Sequence, residues 1–259
     1  MSALVVLAAV LGLAVGSFLT VVIHRVPRGE SLLRPGSHCP HCQAPVRARH
    51  NVPVLGWLLL RGRCAGCQAP ISPRYVLVEA GTAAVFALLA AHFGASPVLP
   101  AYLYLAAVGI ALAAIDVDTR RLPNRIVLPS YLVGAALLAP AALTDPRSAA
   151  RALLAMAALW GLYFAIRFAH PAGMGYGDVK LAGMLGLYLG ALGWGEVLVG
   201  AFAGFVLGAL AGAVLLAARG ATGRTAIPFG PYMLAGALLA PFIAAPVCTW
   251  YGSLLTPVG

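Results

Sequence analysis

Eight long apolar runs, separated by short polar stretches, set the limits on what this chain can become. They fall at residues 3–23, 75–93, 100–115, a stretch ending near 143, 150–168, 181–193, 197–217 and 229–250. A helix needs ~20 apolar residues to cross the ~30 Å hydrocarbon core of a bilayer. Most of these runs meet that length, and the run at 181–193 is the shortest. The composition agrees: 61% of residues are hydrophobic and 9% charged, where a soluble domain carries about 25% charged. Mean hydropathy is +0.92. The runs are continuous in Leu, Ala and Val and do not alternate apolar with polar, which favours helices over a lipid-facing barrel. The chain holds 30 Gly and 19 Pro, both better tolerated in membrane helices than in soluble ones. The expected fold is an all-α polytopic membrane protein of about eight transmembrane helices.

The net charge of +10 would point to nucleic acid in a soluble protein, but its placement points elsewhere. Eight arginines (Arg25, Arg28, Arg34, Arg47, Arg49, Arg61, Arg63 and Arg74) lie in the one long polar segment, 24–74. The first apolar run carries its positive charge after it and not before, unlike a cleavable signal peptide. The positive-inside rule then sets the N-terminus outside and residues 24–74, 116–125, 169–180 and 218–228 in the cytoplasm. Of the seventeen Lys and Arg, only Arg147 and Arg151 fall on the outer side. The membrane is therefore the expected partner of this charge, and no nucleic-acid partner is expected. The expected division is a first transmembrane helix at 1–23, a cytoplasmic loop domain at 24–74, and a core of about seven helices at 75–259.

Four of the five cysteines form two pairs within that loop, Cys39-x-x-Cys42 and Cys64-x-x-Cys67. Two tight turns at this spacing can bring four thiolates to one tetrahedral zinc. Two disulfides are the alternative, disfavoured in a reducing cytoplasm. Four protein ligands leave no position for water, so the zinc would hold the loop together. His38 and His41 flank the first pair as spare ligands. Cys248, in the last run, reads as a small buried residue.

The chain has seven acidic residues: Glu30, Glu79, Asp116, Asp118, Asp145, Asp178 and Glu196. A carboxylate at the edge of hydrocarbon is costly and needs a reason. Asp116 closes the third run and Asp178 precedes the sixth, both on the cytoplasmic side. Two aspartates at one depth can share a proton and activate water, one as base and one as acid. The alternative is a pair of solvated helix caps, which suits Asp118, two residues beyond Asp116 and on nearly the opposite face. Gly175 and Gly177 precede and follow Tyr176, allow close backbone approach, and place Asp178 at a helix start. Lys180 orients Asp178, sits near a substrate chain, or is simply a basic residue at the membrane interface.

In order along the chain, these features resemble the type IV prepilin leader peptidase family of membrane aspartic proteases. The stretch 16–27 resembles the family's first span and its exit. Cys39-Pro40-His41-Cys42, Asn51-Val52-Pro53 and Cys64-Ala65-Gly66-Cys67 resemble its zinc loop, followed by Ile71-Ser72-Pro73-Arg74-Tyr75 and Glu79. Ile115-Asp116-Val117-Asp118 with Leu122-Pro123-Asn124 is similar to its first aspartate motif, and the stretch 173–180 to its second. Thr20 and Val26 depart from the usual Asn and Leu, away from both aspartates.

The resemblance implies Asp116 and Asp178 as the catalytic pair, with Gly175, Gly177 and Lys180 in the active-site loop. It implies a bacterial inner-membrane enzyme that removes the short basic leader of prepilins or pseudopilins at the cytoplasmic edge, cutting after a glycine. It further implies N-methylation of the new N-terminus with S-adenosylmethionine, an activity common in members carrying the cysteine loop. A presenilin-like protease lacks the cysteine loop. The other readings are an ion or proton transporter, whose carboxylates usually lie near mid-bilayer, and a non-catalytic pilus-assembly scaffold.

Overall fold

A computed structural model describes residues 2–171, 173–219 and 227–255. The cytoplasmic segment expected at 218–228, with Arg224, therefore lies largely outside the described residues. Among these the chain is helical: α1 (Ser2–Arg25), α2 (Leu55–Leu59), α3 (Arg74–Phe93), α4 (Leu99–Thr119), α5 (Asn124–Thr144), α6 (Pro146–Ala169), α7 (Tyr176–Leu192), α8 (Trp194–Arg219) and α9 (Gly230–Leu255). All but α2 and α7 are long and apolar enough to cross a membrane, giving seven such helices. Helix α7, the shortest run in the sequence, has 17 residues, about 26 Å. The chain forms two compact units, Met1–Leu99 and Pro100–Gly259.

In the first unit α1 and α3 pack antiparallel through small residues. A Cβ on Gly12 would lie 2.6 Å from Ala83 Cα, and one on Gly16 2.7 Å from Glu79 Cα. Lipid offers no hydrophobic drive for two helices to meet, so close backbone approach supplies the dispersion contact that holds them. The loop between them is pinned back onto α3. Val54 N–H donates to Glu79 Oε2 at 2.6 Å, Trp57 Nε1 to Ile71 O at 3.1 Å, and Ile71 N–H to Gly62 O at 2.7 Å.

In the second unit α7 is the centre, buried along almost its whole length from Asp178 to Gly190. Helix α6 lies antiparallel against it, with Ala155 over Gly186 and Ala152 over Gly190. Tyr102 of α4 donates its hydroxyl to Tyr188 O at 2.7 Å, and Tyr188 passes its own to Ser130 O of α5 at 3.2 Å. Four glycines one turn apart on α8, namely Gly200, Gly204, Gly208 and Gly212, receive the chain from Ile227 to α9. A Cβ at Gly208 would meet the Phe229 ring at 2.9 Å, and one at Gly236 the Gly200 carbonyl at 2.5 Å.

Two helix ends differ from the sequence expectation. Helix α4 runs one turn past residue 115, so Asp116 lies inside it. Arg120 then takes a left-handed φ of 53° and ends it. Helix α7 starts at Tyr176, before the apolar run that opens at 181; Asp178, expected at the helix start, is its third residue and accepts the Gly175 N–H at 3.0 Å, which satisfies the helix opening. Cys248 also differs: it is exposed on α9 and not buried, since apolar side chains on an outward face of a membrane helix meet lipid.

Arg151, one of the two basic residues expected on the outer side, has a structural task. Its guanidinium donates to the last carbonyls of α7, Gly190 O at 2.6 Å, Ala191 O at 2.9 Å and Leu192 O at 2.9 Å. These carbonyls have no partner within the helix, and charged donors to them are worth ~1.5–3 kcal/mol each. Arg151→Met is expected to lower the thermal unfolding midpoint in detergent by several degrees, while Arg147→Met, at an exposed position, leaves it within error.

Candidate active site and metal centre

The two aspartates expected to act together sit on different helices of the second unit. Asp116 occupies the last turn of α4 and Asp178 the first turn of α7, 5% and 9% exposed. Each carboxylate is held by a backbone N–H at a helix start. Gly230, the first residue of α9, donates to Asp116 Oδ2 at 3.1 Å, and Gly175 donates to Asp178 Oδ2 at 3.0 Å. Unpaired N–H groups and the positive end of the helix dipole both favour a carboxylate there.

Leu122 connects the two sites. A Cβ on Gly177 would lie 3.1 Å from Leu122 Cβ, and one on Gly230 would lie 3.4 Å from Leu122 Cδ2 and 2.7 Å from Asp116 Oδ2. Asp116 is near enough for its charge to act on Asp178. The loop 120–123, closing α4 and opening α5, thus reaches under the starts of α7 and α9. Asp118 is exposed on the other side of α4.

The structure ties Lys180 elsewhere than to Asp178. Its Nζ donates to Asn124 Oδ1 at 3.0 Å and lies 4.8 Å above the Tyr176 ring. The Tyr131 hydroxyl donates to the Lys180 carbonyl, so α5 and the first turns of α7 are laced together. Gly175 is exposed and Gly177 half-buried against Leu122. Sequence reading missed Gly230. Its signal is the Pro228-Phe229-Gly230-Pro231 stretch, a turn that opens a helix with proline near the first position.

The arrangement can do acid–base chemistry on a chain brought between α4, α7 and α9. Two carboxylates, each held by one backbone donor, keep a second oxygen: when ionised it can accept from a water, and when protonated it can donate to a peptide carbonyl.

The four loop cysteines come together in the first unit. Their sulfurs all lie within 4.8 Å of one another, with Cys39 to Cys67 at 3.8 Å and Cys42 to Cys64 at 3.9 Å. A tetrahedral site with metal–sulfur bonds of ~2.3 Å needs sulfurs about 3.8 Å apart, so the set fits such an ion. The two knuckles are copies. Cys-x-x-Cys-Gln-Ala-Pro occurs at 39–45 and again at 64–70, an internal repeat the spacing argument passed over. In each, the first cysteine's N–H donates to the alanine carbonyl, at 2.9 Å for Ala44 and 2.8 Å for Ala69. In each, the glutamine has a left-handed φ of 58°. His38 is engaged with the Gly36 carbonyl at 2.9 Å and His41 is exposed, so neither joins the cluster.

Backbone donors from Cys67 and Gly66 draw the Cys64 thiol down to about 6. Cys67 accepts the Ala69 N–H, which favours its thiolate, but burial and the neighbouring thiols push it up to about 11. Thiols this close repel as they ionise, and a divalent cation among them would relieve that repulsion.

Comparison with known proteins finds relatives along most of the chain. Residues 10–93 match the bacterial peptidase A24 N-terminal domain, and residues 103–215 match the type IV leader peptidase family. A prepilin leader peptidase/N-methyltransferase of Stutzerimonas stutzeri is 37% identical over 89% of this chain and 88% of its own. That of Aeromonas hydrophila is 35% identical over 92% and 90%, and that of Neisseria gonorrhoeae 39% over 71% and 73%. No solved structure matches the chain. With relatives above a third identical along most of their length, and matching models over most of the chain, this multi-pass membrane protein belongs to the type IV leader peptidase family.

Proposed function

We propose that this chain is a membrane endopeptidase that removes the basic leader of prepilins or pseudopilins, with Asp116 and Asp178 as its catalytic pair. One observation supports the assignment of residues: two buried aspartates stand on separate helices, each held by one backbone N–H, and the glycines beside them, Gly177 and Gly230, both close on Leu122. One carboxylate takes a proton from water as it attacks the scissile carbonyl, and the other protonates the departing amine. No covalent intermediate forms. The Gly230 and Gly175 donors fix each carboxylate in place and leave its second oxygen for the reaction. The active site faces the cytoplasm of the bacterial inner membrane, with the N-terminus outside, as the distribution of arginine favours.

Cys39, Cys42, Cys64 and Cys67 would hold a structural zinc, which ties the module at 24–74 into one fold and takes no part in proteolysis. The relatives are also named N-methyltransferases, and this chain would use S-adenosylmethionine for the same step. No residue is assigned to holding that donor.

Prepilin cleavage by purified protein tests the pair. Asp116→Asn and Asp178→Asn are each expected to reduce cleavage by about 10²–10⁴-fold or more while the unfolding midpoint is kept. Near-normal cleavage by either variant removes that residue from the mechanism and turns attention to Asp118.

Gly230→Val is expected to cut cleavage severely, because a side chain begins 2.7 Å from Asp116 Oδ2. Gly252→Val, in open space on α9, leaves it unchanged.

Metal analysis of the purified protein is expected to give one zinc per chain. Cys64→Ser should lose it and expose 24–74 to protease, whereas Cys248→Ser should keep it.

A further inference from the structure

Helix α2 has two faces of different character. Gly56 packs under the His50 carbonyl, and Trp57 turns inward to donate to Ile71 O. Leu55, Leu58 and Leu59, at helical spacing on the other face, are 57%, 54% and 75% exposed. Exposed leucines in a polar loop need a partner.

The hydrogen bonds that hold α2 fix its depth. Val54, just before it, has its N–H on Glu79, five residues into α3, which is about 7.5 Å along that helix from its start. At its other end, Trp57 and Gly62 are bonded to Ile71, three residues before α3 begins. A buried carboxylate and a left-handed Val54, with φ of 60°, maintain this attachment. Such a conformation is costly for a β-branched residue, and it persists because the Glu79 bond over-determines it. Since α3 is a membrane span, α2 is held where that span enters the bilayer. Interfacial helices bury their apolar face ~5–10 Å into the headgroup–acyl boundary, the depth range between Ile71 and Glu79.

Charge selects the surface. Arg61 and Arg63 follow α2 directly, and the segment 24–74 holds eight arginines against the single acid Glu30. A basic leader peptide would be repelled by such a surface. Nucleic acid would use the arginines and have no place for three leucines. A bilayer with anionic headgroups uses both, the leucines in the acyl boundary and the arginines on phosphates. We propose that α2 is an interfacial anchor, lying along the anionic leaflet with Leu55, Leu58 and Leu59 inserted and Arg61 and Arg63 on lipid phosphates. It presses the cysteine module against the membrane beside α3, independently of which substrate the enzyme cuts.

The test uses the full-length chain in nanodiscs of phosphatidylcholine with phosphatidylglycerol. The emission added by Leu59→Trp over the unaltered protein is measured with brominated-chain lipids and with aqueous iodide. Leu132→Trp, at a position 76% exposed on α5, serves as the lipid-facing reference. The anchor is expected to be quenched by brominated lipid about as strongly as that reference and to resist iodide. The lipid quenching should fall several-fold in pure phosphatidylcholine or when Arg61→Gln and Arg63→Gln are added. Leu58→Trp should repeat the pattern if Leu59→Trp unfolds the loop. Quenching by iodide alone, or by neither agent because another part of the protein covers α2, overturns the proposal. Lipid quenching indifferent to headgroup charge and to both arginines overturns the role of anionic lipid.

Discussion

A carboxylate at the edge of hydrocarbon must be given back the hydrogen bonds that water would have supplied. In this chain the starts of two helices supply them, and much of the second unit is arranged to bring those starts to the right place. Asp178 caps the helix it belongs to, a local bond over three residues. Asp116 depends on a donor more than a hundred positions away, the Gly230 N–H that opens α9. That long-range bond exists only if α9 is docked, which is where the glycines of α8 enter. Gly204, Gly208 and Gly212 let Met233, Phe229 and Ile227 approach closely, and so set the height at which Gly230 meets the carboxylate.

The same economy of side chains recurs at each helix pair. Where α1 meets α3, α6 meets α7 and α8 meets α9, glycine or alanine stands at the crossing. Polar side chains are used sparingly and mostly to satisfy backbone: Arg151 at the end of α7, Tyr102 and Tyr188 on carbonyls, Glu79 on the Val54 N–H. Inside a membrane such groups hold position more than they add cohesion, because the alternative is an unsatisfied dipole in hydrocarbon.

How much of this was legible in the sequence follows from the range of each interaction. Length and hydropathy located the seven helices able to cross a membrane, because the bilayer sets a minimum length for each, and marked α7 as the shortest run. The clustering of the paired cysteines was legible through their spacing, and the different surroundings of Asp116, buried, and Asp118, exposed, through their places on opposite helix faces. Gly230 was not, because a backbone N–H has no residue type of its own and its partner is distant in sequence. Arg151 looked like a topological exception until its bonds to α7 were seen. Hydropathy alone opened the sixth run at 181, since it scores Asp178 as a break, whereas the Gly175-Tyr176-Gly177-Asp178 stretch marked the helix start that this carboxylate completes. Cys248 was misplaced because exposure in a membrane helix does not mean contact with water.

The 17 residues of α7 have a consequence for where water meets the protein. At about 26 Å the helix falls short of the ~30 Å apolar slab, and neither end can slide inward, since one bears Asp178 and the other is clasped by Arg151. Because α7 is buried from Asp178 to Gly190, lipid does not lie against it, and the shortfall is borne by the protein around it. The helices packed near it have 21 to 26 residues. A short helix among longer ones ends below the level of its neighbours, so the aqueous boundary can come down to a buried carboxylate without a channel through the bundle.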